Sequence, residues 1–469
     1  MKNLAYLLLL LLMPNSLLQA QSEEPELIYQ WQDTTLVGSG FYNNTYNEIW
    51  GAALNEREYA IIGSTMGTHI FDITETGEEY QAAFIAGGSQ GAQIVHRDYK
   101  TYQHYLYAVS DEGLNSGLQI IDLQYLPDSV QVVYDSKLLI RNSHNIYIDT
   151  ATAKLYICGG RFNDNQYYDF LVCSLEDPES PQLLLNYDGL YYAHDVFVKN
   201  DTAYLNCGEQ GLYIVDFTNV SNPQILGFIS QYGAFGQGYN HSGWVSPDGK
   251  YYAFADETWG LPLKIVDVSN IYDPEIISTF SSETNPRAIA HNLMWRDHYI
   301  FVSYYYDGLR VFDVQNPAEP EQIAHYSTSK DDDYLSYEGA WGVYAFLPSR
   351  KILISDMQEG LFVIDTHLPF DGEEEVGLEN EFSNLSPARL FPNPASVGGT
   401  VQIQFSQNTP RLQAGIIDVN GKTILRKEIT ATNGNASIVL PTNLPVGNYF
   451  LRLHGQNTTQ LLPLCVGGK

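Results

Sequence analysis

Positive charge is scarce in this chain: 24 Lys and Arg stand against 55 Asp and Glu, a formal net charge of −31. A surface of that sign repels phosphate backbones, which sets nucleic acid aside as a partner. Cysteine is scarce as well. The four cysteines (Cys158, Cys173, Cys207, Cys465) show no CxxC spacing, which excludes zinc-finger and thioredoxin readings, and they are too few for a disulfide scaffold. Cys158 and Cys207, each before a glycine at matching places, read as small buried residues. Beyond the first twenty residues no apolar run approaches the roughly 20 residues that span a bilayer, so no transmembrane segment is expected. Familiar catalytic signatures are missing too. There is no P-loop and no dinucleotide fingerprint, and Gly38-Ser39-Gly40 lacks the spacing of a nucleophile elbow. Methionine numbers five against 35 Tyr and 38 Gly, a balance that favours short strands and tight turns over helices.

What is present begins with Lys2, the apolar run Leu4 to Leu12 and a small-residue exit at Ser16 to Ala20. This reads as a secretory signal peptide over residues 1–20, with the mature chain starting near Gln21. A period follows. The pattern glycine, apolar, any, apolar, apolar, aspartate occurs at Gly117 to Asp122, Gly211 to Asp216, Gly308 to Asp313 and Gly360 to Asp365. Weaker copies end at Asp72 and Asp267, and a degenerate one at Ser174. Upstream of each copy a strand opens on a fixed residue type: Trp50, His96, His144, His194, His241, His291 and Trp341, spaced 46 to 50 residues apart. Seven copies of four short strands predict an all-β fold, a seven-bladed β-propeller over residues 21–368. The aspartate is expected to accept backbone N–H groups in the turn that follows it. The seventh repeat has three strands of its own, and Glu26 to Val37 has no partner, so this N-terminal strand is expected to complete the last blade.

Residues 369–385, with Glu373, Glu374 and Glu375, read as an acidic linker. The remaining segment, 386–469, alternates as short strands between Asn-Gly and Pro-Val-Gly turns, the pattern of a small Ig-like β-sandwich.

Two resemblances follow from these residues. Gly211 to Asp216 resembles the LVIVD repeat, and residues 26–368, with their His-led strands at Ser143-His144-Asn145-Ile146 and Ala290-His291-Asn292-Leu293, resemble the propeller of the choice-of-anchor B family. That family implies architecture and little chemistry. Residues 386–469, opening on Leu390-Phe391-Pro392-Asn393-Pro394-Ala395, resemble the type A sorting domain of the type IX secretion system. The resemblance implies a Bacteroidota host, recognition by the type IX machinery, removal of this domain, and release or attachment at the outer-membrane surface.

Five of eleven histidines fall at one repeat position. At the rim of a propeller channel His96, His144, His194, His241 and His291 would meet across the axis and offer a ligand set for zinc, copper or iron. Acidic loops carrying Glu209, Asp256 and Glu257, together with Asp111 and Glu112, are expected on the same face. Arg97, Asn145, Asp195 and Asn292 follow the ring position and would floor the pocket, while Trp50 and Trp341 would form one aromatic wall at the closure. The same periodicity also arises if each histidine only bonds within its own blade. Two functions therefore stay open: a binding module that presents its channel-mouth face to an extracellular or surface ligand, and a metal-dependent hydrolase or oxidase at the same mouth.

Overall fold

The computed structural model describes residues 24–370 apart from residue 191, and residues 388–467 apart from 406–411, 419–422, 430, 432–434, 443 and 455–458. The expected signal peptide and most of the expected linker lie outside the described residues. The chain divides into two compact units, Met1–Asp371 and Gly372–Lys469.

Seven four-stranded antiparallel sheets make up the first unit. Blade 1 is Tyr46–Leu54, Arg57–Ser64, Gly67–Asp72 and Tyr80–Ala86. Blades 2 to 6 repeat this order, with inner strands Arg97–Tyr102, Asn142–Asp149, Asp195–Lys199, Asn240–Val245 and Ala290–Arg296. Blade 7 has Ala340–Tyr344, Ile352–Asp356 and Gly360–Asp365, and its outer strand is Glu26–Trp31, paired antiparallel to Gly360–Asp365. Each inner strand packs on the next, and that of blade 7 packs on that of blade 1, so the ring is closed.

The repeat signature has two jobs, both visible in the backbone. The side-chain oxygen that ends each signature accepts the N–H two residues on, in all seven blades. The acceptors are Asp72, Asp122, Ser174, Asp216, Asp267, Asp313 and Asp365, at 2.7 to 3.2 Å. Serine keeps the turn in blade 3 because only an oxygen acceptor is needed there. The glycine that opens the signature is forced by space as well as by conformation. Gly211 has φ +88°, and a Cβ on it would lie 2.1 Å from the Ile229 carbonyl oxygen of the neighbouring outer strand.

Between blades the core is dry. At the closure Ile49, Ala60, Ile62 and Phe71 of blade 1 pack on Leu353, Leu361 and Val363 of blade 7, and Trp31 covers them. His69 is inserted in this seam, its ring 4.8 Å from that of Trp31 and 4.6 Å from that of Phe84, with Ser64 Oγ 2.9 Å from its Nε2. Burial lowers its pKa to about 4, against the pull of Gln81 and Asp33. A folded-state pKa below the unfolded value means that the unfolded chain binds the proton first. Stability is then full above about 6.5 and falls as pH drops from about 6.5 to about 4, by about 3 kcal/mol over that window. Chemical denaturation of His69→Phe at several pH values should show that acid limb flattened; an unchanged limb would remove His69 as its cause.

The second unit contains a three-stranded sheet (Ala388–Phe391, Thr400–Phe405, Asn435–Val439) and a five-stranded one that includes Leu412–Asp418, Gly447–His454 and Thr459–Gly467. Alternating residues such as Val401, Ile403, Ile416, Leu451 and Leu453 form its core. Cys158, Cys173 and Cys207 are buried and unpaired.

Candidate functional site at the channel mouth

The inner strands open at one rim of the channel, and there the histidines of neighbouring blades face one another. Adjacent ring centroids lie 5.1 Å apart for His96–His144, 4.0 Å for His144–His194, 4.3 Å for His194–His241 and 4.4 Å for His241–His291. Trp341 closes the circle, 4.5 Å from His291 and 5.2 Å from His96. In blades 5, 6 and 7 the ladder slips by one residue at His241, His291 and Trp341, so each is the bulged residue of its strand. A bulge re-aims the side chain it carries, here toward the axis.

These rings wall a cavity of about 150 Å³. Tyr42, Tyr305 and Tyr337 rim it, with centroids 5.6 Å apart for Tyr42–Tyr337 and 5.3 Å for Tyr305–Tyr337. Its floor is polar: Glu48, Asp98, Asn145, Asp195 and Asn292. The same five residues roof a smaller cavity of about 50 Å³, which also meets Lys100 and Ser242. Below that, Trp50, Tyr147, Phe197, Trp244 and Phe346 line a wide opening of about 750 Å³.

The electrostatics divide the ring in two. His144 is half-buried, and desolvation disfavours its charge, but Asp111 accepts from its Nδ1 at 3.0 Å and outweighs that cost, lifting its pKa to about 9. His96 Nδ1 likewise meets a Glu112 carboxylate oxygen. On the other side burial, reinforced by neighbouring imidazoles, holds His194 and His241 well below the ordinary histidine value, and His291 at about 3. The Nδ1 atoms of His194 and His241 are buried without a well-formed hydrogen bond, each only approaching the backbone of the next ring histidine. In the floor, burial and the charge of Asp98 push Asp195 to about 7 and Glu48 to about 8, although Lys100 opposes both. Lys100 Nζ itself donates to Asp98 at 2.9 Å.

Several expected site residues stand elsewhere. Trp50 is not in the ring: its indole N–H donates to Thr101 Oγ1 at 3.0 Å, its ring meets Tyr344 at 4.9 Å, and it lines the opposite opening. Blade 1 slips register between Tyr46 and Ile49, so Glu48 reaches the cavity, and Trp50 falls further down the strand. Arg97 touches the cavity, but its guanidinium is spent on the Ser64 and Ser89 carbonyls at 2.7 and 2.9 Å. Asp256 points away into a fully buried ion pair with Lys264, while its neighbour Glu257 faces the ring. Glu209 is exposed and does not line the cavity. Asn145, Asp195, Asn292, Trp341 and the five histidines all line it. Glu48, Asp98 and the three tyrosines had no signal of their own, because Glu48 hides behind a bulge and the tyrosines sit in loops or at strand ends where the period is silent.

The molecule is a seven-bladed β-propeller with a histidine-ringed channel mouth, followed by a small β-sandwich. Residues 192–232 match the LVIVD repeat family, and residues 389–464 match the secretion system C-terminal sorting domain. No curated protein matches the chain. Among solved structures, a protein from Lactobacillus plantarum is similar at 12% identity, covering 84% of this chain and 99% of that one, with a TM-score of 0.47. The Cps50 (Swd1) β-propeller domain of Myceliophteria thermophila is similar at 12% identity, covering 66% and 93%, with a TM-score of 0.46. The sorting domain implies a secreted or cell-surface protein of a Bacteroidota-type system that engages the type IX machinery. Among the described residues no helix is long and apolar enough to cross a membrane.

Proposed function

We propose that this protein is a surface or secreted binding module that takes its ligand at the histidine-ringed mouth of the propeller. One observation carries the reading. Burying a polar atom without a good hydrogen bond costs up to about 1–3 kcal/mol, and this ring buries two such atoms side by side, His194 Nδ1 and His241 Nδ1, each with only a poorly formed approach to the backbone of the next ring histidine. A repeat protein under selection for stability alone has no reason to keep that expense at the end of its channel. The aromatic rim supports the same reading, since Tyr42, Tyr337 and Trp341 offer flat apolar faces around polar walls, the usual composition of a ligand pocket.

The cavity admits a narrow group, such as the end of a chain or a pendant substituent, rather than a whole folded partner. Panels of polysaccharide fragments and of extended peptides, titrated onto the full chain, test this directly. At least one class should bind, and Trp341→Ala should weaken it at least tenfold, about 1.4 kcal/mol. If no probe binds, or if binding is indifferent to Trp341→Ala and Tyr337→Ala alike, the mouth is not the binding site.

A further inference from the structure

We infer that His241, Glu257 and His291 hold a divalent transition-metal ion, zinc before copper or iron, with one coordination position left open to the cavity. The inference rests on the mouth being a ligand site and names the chemistry of that site.

The three side chains bring one ligand atom each to within 4.8 Å of one another. His241 Nε2 and Glu257 Oε2 are 3.7 Å apart. That is too long for a hydrogen bond, yet it is about the separation of two ligands that each lie about 2.0–2.2 Å from a shared zinc ion. Two of the three ligands are also held from behind. His291 Nδ1 donates to the Trp341 carbonyl at 2.5 Å, which aims its Nε2 inward. Tyr305 donates its hydroxyl to Glu257 Oε1 at 2.5 Å, leaving Oε2 for the ion. Such outer partners fix the orientation of metal ligands, and the carbonyl behind the His291 imidazole also raises its basicity. His241 is 4% exposed, its Nδ1 makes no well-formed hydrogen bond but only approaches the His291 backbone, and its Nε2 is turned to Glu257.

A second group on the ring, His96, Asp111 and His144, has the same composition and a different chemistry. There Asp111 already accepts from His144, and Glu112 from His96. Those carboxylates compensate imidazoles directly, and an ion would first have to break both pairs. Two imidazoles, one carboxylate and an open fourth position are the ligand count of zinc sites that bind an exogenous group.

The test is metal retention by the purified full chain after loading with Zn²⁺ and exhaustive dialysis, read by elemental analysis and by the visible spectrum of the Co²⁺-loaded protein. One ion per chain is expected. Zn²⁺ affinity should fall roughly a hundredfold in His291→Ala, and by at least tenfold in Glu257→Gln and Tyr305→Phe. The two milder variants keep the test valid if His291→Ala fails to fold. No retention of Zn²⁺, Cu²⁺ or Fe²⁺ by the unaltered chain overturns the proposal, as does loss of metal in His144→Ala with retention in His291→Ala. A chain without metal whose polysaccharide or peptide binding still depends on Trp341 sinks the ion alone. A chain with one ion and no mouth-dependent probe sinks the binding panel's reading and keeps the metal.

Discussion

Deleting residues 24–37 is expected to destroy the monomer. Ile28, Tyr29 and Trp31 are half-buried between blades 1 and 7, and Leu27 between blades 6 and 7. At about 0.75–1.5 kcal/mol each, half of what full burial of such side chains gives, they contribute about 3–6 kcal/mol. That is comparable to the lower end of the 5–15 kcal/mol margin of an ordinary domain. The deletion does more than remove contacts. Gly360–Asp365 would become an edge carrying Leu361, Phe362 and Val363, each now no more than 4% exposed, with its backbone N–H and C=O groups unpaired. An apolar edge of this kind pairs with other copies. Size-exclusion chromatography with light scattering should find aggregate, and no cooperative melt should be seen at the full chain's temperature. A synthetic peptide of residues 24–37 added during refolding should restore the monomer, because Trp31 has a formed slot between Tyr46, His69 and Phe71. A truncated chain that stays monomeric and melts like the parent would show that the ring does not depend on this strand.

That closure could be read in advance because it is a matter of counting strands. The ring of histidines could be read for a related reason: equal places in a repeat become equal places around an axis, so His96 to His291 had to lie at one level. What a repeat does not state is which way a side chain points, since strand side chains alternate with a period of two and one inserted residue reverses every later one. Blade 1 shows the consequence. Its inner strand runs Tyr46–Leu54 and slips between Tyr46 and Ile49, so the Trp-Gly pair that imitates Trp341-Gly342 in sequence ends up near the far opening. Glu48, with no counterpart in the pattern, reaches the cavity floor instead. The rim was invisible for the opposite reason. Tyr42 and Tyr337 lie outside the strands, where neither alternation nor repeat spacing says anything about direction.

Asp256 and Glu257 make the same point with a larger energetic consequence. The two acids are adjacent, and alternation sends one inward to Lys264 and the other to the ring. Asp256 and Lys264 are both 0% exposed, and Lys264 also donates to the Pro262 carbonyl at 3.0 Å. Burial raises the pKa of Asp256 and lowers that of Lys264, while each charge holds the other in place. A pair like this adds little net stability when intact and is costly to break, because the survivor is a buried charge without a partner. Lys264→Met should therefore destabilise the chain by about 3–5 kcal/mol in urea denaturation. Lys264→Met with Asp256→Asn removes both charges and should recover at least half of that loss. Because Asp256 ends the strand from which Glu257 emerges, the single variant should also weaken Zn²⁺ retention, and the double variant should return it. A single substitution costing under about 1 kcal/mol would mean that water reaches the stranded carboxylate, and the ion pair would then have no part in fixing Glu257.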